Sequence, residues 1–600
     1  MKDSYQHLKA NSGADSEQYL KIKSKPDSPQ HLKAESKADS KQYLEIKSKP
    51  DSPQHLKAES KADSKQYLEI KNKLDSTKHL YQRLKAHSET DYYAFHMPGH
   101  KRRDVIGTNL PYEIDITEIN EFDDLHHATG ILKSAMERAA SVFHAEETHF
   151  LVNGSTVGIL SGILGSTEKG DKILVARNCH KSVYNALFMQ ELMPVYVYPS
   201  YEKDMQINGE VCAEDIAKCL QMHTDIKAVV ITSPTYDGVV SDVVKIARIV
   251  HEKNIPLIVD EAHGAHFGFH SYFPKNANQL GADVVIHSIH KTLPSLTQTA
   301  LLHLNGSIVN REKIRDYLQM LQSSSPSYVL MASIDACISF LENESVSVFE
   351  QYVRQLEETR IQLRSFKKFK LIETNVYDYS KIVIGVNCTK ITGKMLYERL
   401  EQEFHLQLEM AAGTYVVAMT SLADTKEGYD RLFHALQKIE HTLLHAPQKA
   451  EHTLSHAPQE TEHTLLHASQ ETEHTPLHAP QEAEHTLLHA SQESENTLFH
   501  ISQKTANTLG ERNYTREILP PPKAEYVNHH GDKVKNFERK ESVGEVSAEM
   551  IYLYPPGIPL IARGERITKE MILYLESCEQ MGFEIRGCKK RGQIEVWING

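Results

Sequence analysis

Five short apolar runs between residues 172 and 288, each closing on polar residues, restrict this chain more than any other feature. They are KILVARNCH (172–180), PVYVYPS (194–200), KAVVITSPTY (227–236), IPLIVDEAH (255–263) and ADVVIHS (282–288). Between them lie segments such as SDVVKIARIVHEKN (241–254), whose apolar positions recur at helical spacing. Near-continuous apolar strands alternating with amphipathic helices predict an α/β domain with a mostly parallel central sheet. Ligands gather at strand ends in such sheets, so the polar residues that close the runs are the first candidates for chemistry.

Two repeat arrays flank this core. A unit of the form D-S-x-x-[HY]-L starts at Asp3, Asp15, Asp27, Asp39, Asp51, Asp63 and Asp75. Its lysine, serine and proline content offers little to bury, so residues 1–80 are expected to form a solvated or loosely helical tail. A second array begins with EHTLLHAPQKA (440–450) and recurs through ENTLFHISQKT. An eleven-residue period is close to three helical turns, but Pro447, Pro458, Pro476 and Pro480 oppose a helix. His441 and His445 have the spacing of a helical metal pair. A flexible polar insert over 440–510 accounts for the composition better, and no metal site is expected. The remaining chain divides into a large domain (81–330), a smaller α+β domain (331–439) and a C-terminal domain (511–600).

Composition excludes several classes. A formal charge of −13 and the lack of Lys/Arg-rich stretches interleaved with aromatics argue against nucleic-acid binding. No apolar run reaches membrane-spanning length, and the polar start MKDSYQHLKA has no signal-peptide core, so a cytoplasmic protein is expected. The seven dispersed cysteines form no C-x-x-C pair, consistent with free thiols in a reducing compartment.

The strand ends then supply chemistry. LVNGST (151–156) sets a glycine, Ser155 and Thr156 at a helix start, where backbone N–H groups bind phosphate, although a simple helix cap has the same composition. Asp260 closes a strand expected to be central, and a protonated ring nitrogen would partner it. His180 closes another run. In SIHKT, Lys291 follows Ser288 and His290 at the end of a further strand, where an unpartnered lysine is costly. A phosphate cradle, a buried acid, a flat side chain and a lysine in this order describe a pyridoxal 5′-phosphate site.

The motifs FHMPGHK (95–101), DDLH (123–126), NGST (153–156), NCHKS (178–182), SPTYDG (233–238), DEAHGAH (260–266), SIHK (288–291), SLTQ (295–298), SPSY (325–328) and YPPGIP (554–559) resemble the Orn/Lys/Arg decarboxylase family. They most resemble its shorter bacterial members, which lack an N-terminal response-regulator-like domain. The resemblance covers roughly 80–440 and 511–600, and leaves both arrays outside. It implies an aminotransferase-like, fold type I enzyme, a lyase that converts arginine or lysine, with ornithine possible, to the amine and CO2. Polyamine synthesis or acid resistance would be its setting.

By the same resemblance Lys291 carries pyridoxal 5′-phosphate, Asp260 pairs with the pyridinium nitrogen, and His180 stacks on the ring opposite Ala262. His263 neighbours the ring hydroxyl, and Thr235 faces the cofactor from a strand end. Ser155, Thr156, Ser288 and His290 contact the phosphate, and Ser325 or Ser327 reaches over from a second subunit. The site lies at the subunit interface of a homodimer or higher homo-oligomer. Lys291 or His290 returns the proton to Cα. Glu565, Asp124 and Glu121 are the acids considered for the substrate side chain, with surface ion pairing as the plainer alternative. The rival activity is that of another fold type I enzyme, an aminotransferase or side-chain lyase, which usually holds the α-carboxylate with an arginine.

Overall fold

The computed structural model describes residues 78–90, 94, 96–204, 206–445, 522–527 and 533–598. The expectations for the tail and for all but the first residues of the insert lie outside the described residues. Each of the five apolar runs forms a strand of one seven-stranded sheet. In chain order its strands are β1 (Glu147–Leu151), β2 (Lys172–Ala176), β3 (Met193–Val197), β4 (Ile226–Thr232), β5 (Leu257–Asp260), β6 (Val284–His287) and β7 (Ala300–Leu304). Their spatial order is β1-β7-β6-β5-β4-β2-β3. The pairs from β3 through β6 are parallel, whereas β7 runs antiparallel to both β6 and β1.

The strands lack polar alternation because helices cover both sheet faces. Successive residues point to opposite sides, so Phe150 and Leu301 enter one apolar cluster while Leu151 and Leu302 enter the other. The run 241–254 yields the helix Val243–His251, whose first turn is capped by the Asp242 carboxylate accepting from the Lys245 N–H. That cap satisfies a backbone donor that has no partner within the helix.

Beyond the long helices Tyr328–Asn343 and Ser345–Leu363 lies a four-stranded antiparallel sheet. Its strands are β8 (Lys370–Ile372), β9 (Lys381–Gly385), β10 (Met410–Ala411) and β11 (Tyr415–Met419), in the order β8-β9-β11-β10. The helix Lys426–His445 carries through EHTLLH, the opening of the second array, because Ile439 is buried and Leu443 packs against the same core. The C-terminal segment forms two three-stranded sheets and the helix Lys569–Gln580 around its own apolar cluster. It also inserts Ala562 into the core of the large domain. No helix among the described residues is long and apolar enough to cross a membrane.

Candidate active site

The C-terminal ends of β2, β4, β5 and β6 open toward one cavity. Ser155, His180, Thr235, Asp260, Ala262, His263 and Lys291 all line it. The parallel register brings this about: Thr232 pairs with Asp260, and Asp260 with Ile286, so the loops that follow leave the sheet at one level. After β6, Ser288 starts a single helical turn, Ile289–Thr292, which presents Lys291 to the cavity. The small sheet adds Met410 and Tyr415, and the C-terminal segment adds Leu553, Pro555, Pro556, Ile558, Tyr574 and Phe583.

The electrostatics single out three groups. Burial lowers the Lys291 ammonium's pKa and favours the free amine, while Asp260 opposes the shift. Lys291 Nζ lies 2.9 Å from His263 Nε2. Burial, with Lys291 nearby, keeps His263 well below the ordinary imidazole range, so a neutral ring shares this hydrogen bond with Nζ. Asp260 is buried and accepts a 3.2 Å hydrogen bond from the Ala262 N–H. Burial raises its pKa, against the pull of Lys291.

The residues present fit pyridoxal 5′-phosphate. Asp260 has no ion-pair partner within salt-bridge distance among the described residues, and a protonated ring nitrogen would hold it ionised. The helix Gly154–Ser166 starts at Asn153 with no side-chain cap and no acid in its first turn, so its N–H groups are available to an anion. Gly154 has φ +74°, and a β-carbon there would meet only the Gln298 carbonyl oxygen at 3.9 Å, leaving the cradle open. His180 caps the next helix: its Nδ1 accepts from the Ser182 N–H at 3.3 Å and lies 2.8 Å from Ser182 Oγ. Burial, with Lys291 and Lys181 nearby, lowers this imidazole to about 3, so a neutral flat ring faces the cavity.

Several expected residues stand elsewhere. Thr156 is exposed one position beyond Ser155 and does not line the cavity. Ser288 is fully buried, its hydroxyl without a hydrogen-bond partner among the described residues, and His290 turns Nδ1 to the Thr299 carbonyl at 2.7 Å. Ser327 caps the helix Tyr328–Asn343. The candidate substrate acids stand away from this cavity. Glu565 is fully buried in an ion pair with Arg177 at 3.1 Å and also accepts from the Ala562 N–H, so its charge is already spent. Asp124 accepts from the His126 N–H and pairs with His127 on the surface, and Glu121 is exposed; neither lines the cavity. Asp237 and Tyr236 do line it, although the residues considered from SPTYDG stopped at Thr235. An acid inside a motif that closes an apolar run was the available signal.

Comparison with known proteins identifies the family and the fold. Residues 78–402 match the Orn/Lys/Arg decarboxylase major domain, and residues 508–593 match the Orn/Lys/Arg decarboxylase C-terminal domain. The uncharacterized protein YaaO of Bacillus subtilis (strain 168) is 33% identical over 527 residues, covering 85% of this chain and 97% of that protein. Arginine decarboxylase of the same organism is 30% identical over 525 residues, covering 84% and 93%. The crystal structure of the Francisella novicida lysine decarboxylase LdcF superposes with a TM-score of 0.66 at 21% identity, covering 87% of this chain and 81% of that one, a likeness of fold. With an α/β fold type I core and both family domains matched, this chain belongs to the Orn/Lys/Arg decarboxylase family of amino-acid decarboxylases.

Proposed function

We propose that the protein removes the α-carboxylate of a basic amino acid, arginine or lysine with ornithine as the shorter alternative, using pyridoxal 5′-phosphate attached to Lys291. One observation carries this: the cavity at the strand ends contains Lys291, Asp260 and Asp237, and no arginine lines it among the described residues. A transaminase retains the α-carboxylate and usually holds it with a guanidinium, whereas carboxylate loss is favoured where no cation stabilises that group. When bound, the cofactor supplies an electron sink for the pair left at Cα as CO2 departs.

The chain's own residues do the rest. Asp260 would be held ionised by the protonated ring nitrogen that it pairs with. The neutral His180 offers a flat face on one side of the cavity, and Ala262 lines it as well. Ser155 and the uncapped first-turn N–H groups bind phosphate oxygens. The apolar walls from Leu553, Ile558 and Phe583 exclude water and leave the substrate carboxylate poorly solvated. Lys291 Nζ, held by its hydrogen bond to His263 Nε2, is the group that returns a proton to Cα. His290, committed to the Thr299 carbonyl, holds its own turn in place.

The same proposal includes a homodimer with the site at the subunit interface, cytoplasmic location and a role in polyamine synthesis or acid resistance. It rests for these on the family resemblance, and light scattering of the purified protein tests the dimer. The activity is tested by supplying arginine, lysine and ornithine with added cofactor across pH and measuring CO2 together with the amine. One of the three is expected to release both in equal amounts. Keto acid formed without CO2 would reject the proposal.

A further inference from the structure

We propose that Asp237 is the residue that binds the distal cation of the substrate, a guanidinium or ammonium, and so sets the preference for basic side chains. The assignment rests on the decarboxylase function proposed above. A basic substrate brings a full positive charge into a largely apolar cavity and needs a carboxylate there. Among the described residues two carboxylates line the cavity, and Asp260 belongs to the cofactor end, where it acts on Lys291. Asp237 remains. Protein encloses it and burial pushes its carboxyl up to about 6, yet the side chain still presents surface to the cavity. One oxygen accepts from the Tyr415 hydroxyl at 2.7 Å, and no cation lies within ion-pairing distance of the group among the described residues. A half-buried acid that accepts one side-chain hydrogen bond, from a neutral hydroxyl, has capacity left for a charged donor.

The surroundings suit such a ligand. Asp237 sits at the tip of a turn fixed from both sides. The Gly238 N–H donates to the Thr235 carbonyl at 3.0 Å, and the Val239 N–H to Thr235 Oγ1 at 3.0 Å. The Tyr377 hydroxyl donates to the Asp237 carbonyl at 2.7 Å, and the Asp378 N–H to the Gly238 carbonyl at 2.8 Å. Gly238 has φ +97°, and a β-carbon would lie 2.9 Å from the Tyr377 ring, so only glycine permits this approach. The carboxylate is therefore preorganised. Ile207, Met410, Leu553 and Phe583 line the same cavity and offer apolar surface to the substrate's methylenes. Tyr236, also in the lining, is held by its bond to Glu409 and packs edge-on against His263.

The test compares amines that carry the distal cationic group with amines that lack it. The cofactor-loaded full chain is titrated with 1,5-diaminopentane and pentylamine, and with agmatine and butylamine, followed by cofactor absorbance. The wild type is expected to bind the dication about 10- to 100-fold more tightly in the pair that corresponds to its substrate, the scale of a hydrogen bond to a charged group. Asp237→Asn is expected to bring that ratio near one. An unchanged ratio in the variant, or no preference in the wild type, overturns the assignment. Should Asp237→Asn fail to fold, Tyr415→Phe decides: it removes the donor that orients the acid, so the ratio is expected to change about threefold or more, and an unchanged ratio rejects Asp237. CO2 release by the wild type is read separately. A preference for dications without CO2 defeats the decarboxylase proposal alone; CO2 release without the preference defeats Asp237 alone.

Discussion

Arg177→Met tests how the C-terminal segment is held against the large domain. Arg177 is buried just beyond β2 and reaches into that segment with both terminal nitrogens. Nη1 donates to the Pro559 carbonyl at 2.7 Å, and Nη2 to the Leu560 carbonyl at 3.1 Å and to Glu565 at 3.1 Å. Its guanidinium carbon lies 5.4 Å from the ring centres of both Tyr184 and Tyr196. Burial alone would lower the guanidinium pKa, but Glu565 and the two tyrosines more than offset it, so the group stays charged. Breaking such a pair leaves a buried carboxylate alone and costs about 3–5 kcal/mol. The two orphaned carbonyls add roughly 1 kcal/mol each. Some relaxation will reduce the sum, so about 4 kcal/mol is expected. The chain has a single tryptophan, Trp597, in the strand Gln593–Ile598 of this segment, so its fluorescence reports the region directly. With an m-value of about 2 kcal/mol/M, the urea midpoint seen by Trp597 is expected to fall by about 2 M. Arg177→Met/Glu565→Met removes both charges and is expected to recover about half of the loss, because an apolar pair of similar volume is tolerated where a lone charge is not. A shift under about 0.5 M in the single variant, or a double variant as damaged as the sum of the singles, would refute the account.

Other consequences are separable. Lys291→Ala is expected to lower decarboxylation by about a thousandfold or more, the scale of a lost proton-transfer group; borohydride reduction and peptide mass mapping should place the cofactor on Lys291 in the wild type. Gly557 has φ +101°, and a β-carbon would lie 3.1 Å from His180 Cδ2 and Nε2, so Gly557→Ala both strains the backbone and displaces the ring. A stability loss of about 1–3 kcal/mol is expected, together with faster cofactor release measured by absorbance. His180 has a folded pKa of about 3, below its unfolded value, so between these values unfolding takes up a proton and stability falls as pH falls. His180→Phe removes that contribution and is expected to gain on the wild type by about 1 kcal/mol per pH unit from pH 6 to pH 4, read from denaturation midpoints at each pH. A pH-independent difference would show that the wild-type ring is already charged.

The sheet was legible because its strands are buried on both faces, which leaves near-continuous apolar runs that few other folds tolerate. Lys291, Asp260 and His180 were legible for a related reason, since a polar residue closing such a run reaches the strand-end level whatever the loops do. The acids carried no comparable mark. Glu565 in RGERIT and Asp237 in TYDG are both acids beside a turn, and nothing local tells a structural charge from a binding one. What separates them is the partner. Glu565 meets Arg177 across 388 positions of chain, whereas Asp237 meets a tyrosine hydroxyl from β11 and no cation within ion-pairing distance among the described residues. Neither pairing is encoded in spacing, because both arise where separate sheets dock. An acid's role follows from whether the fold has already neutralised it, and that is decided by tertiary contacts. Hence the substrate end of the site becomes readable only after the cofactor end has been assembled.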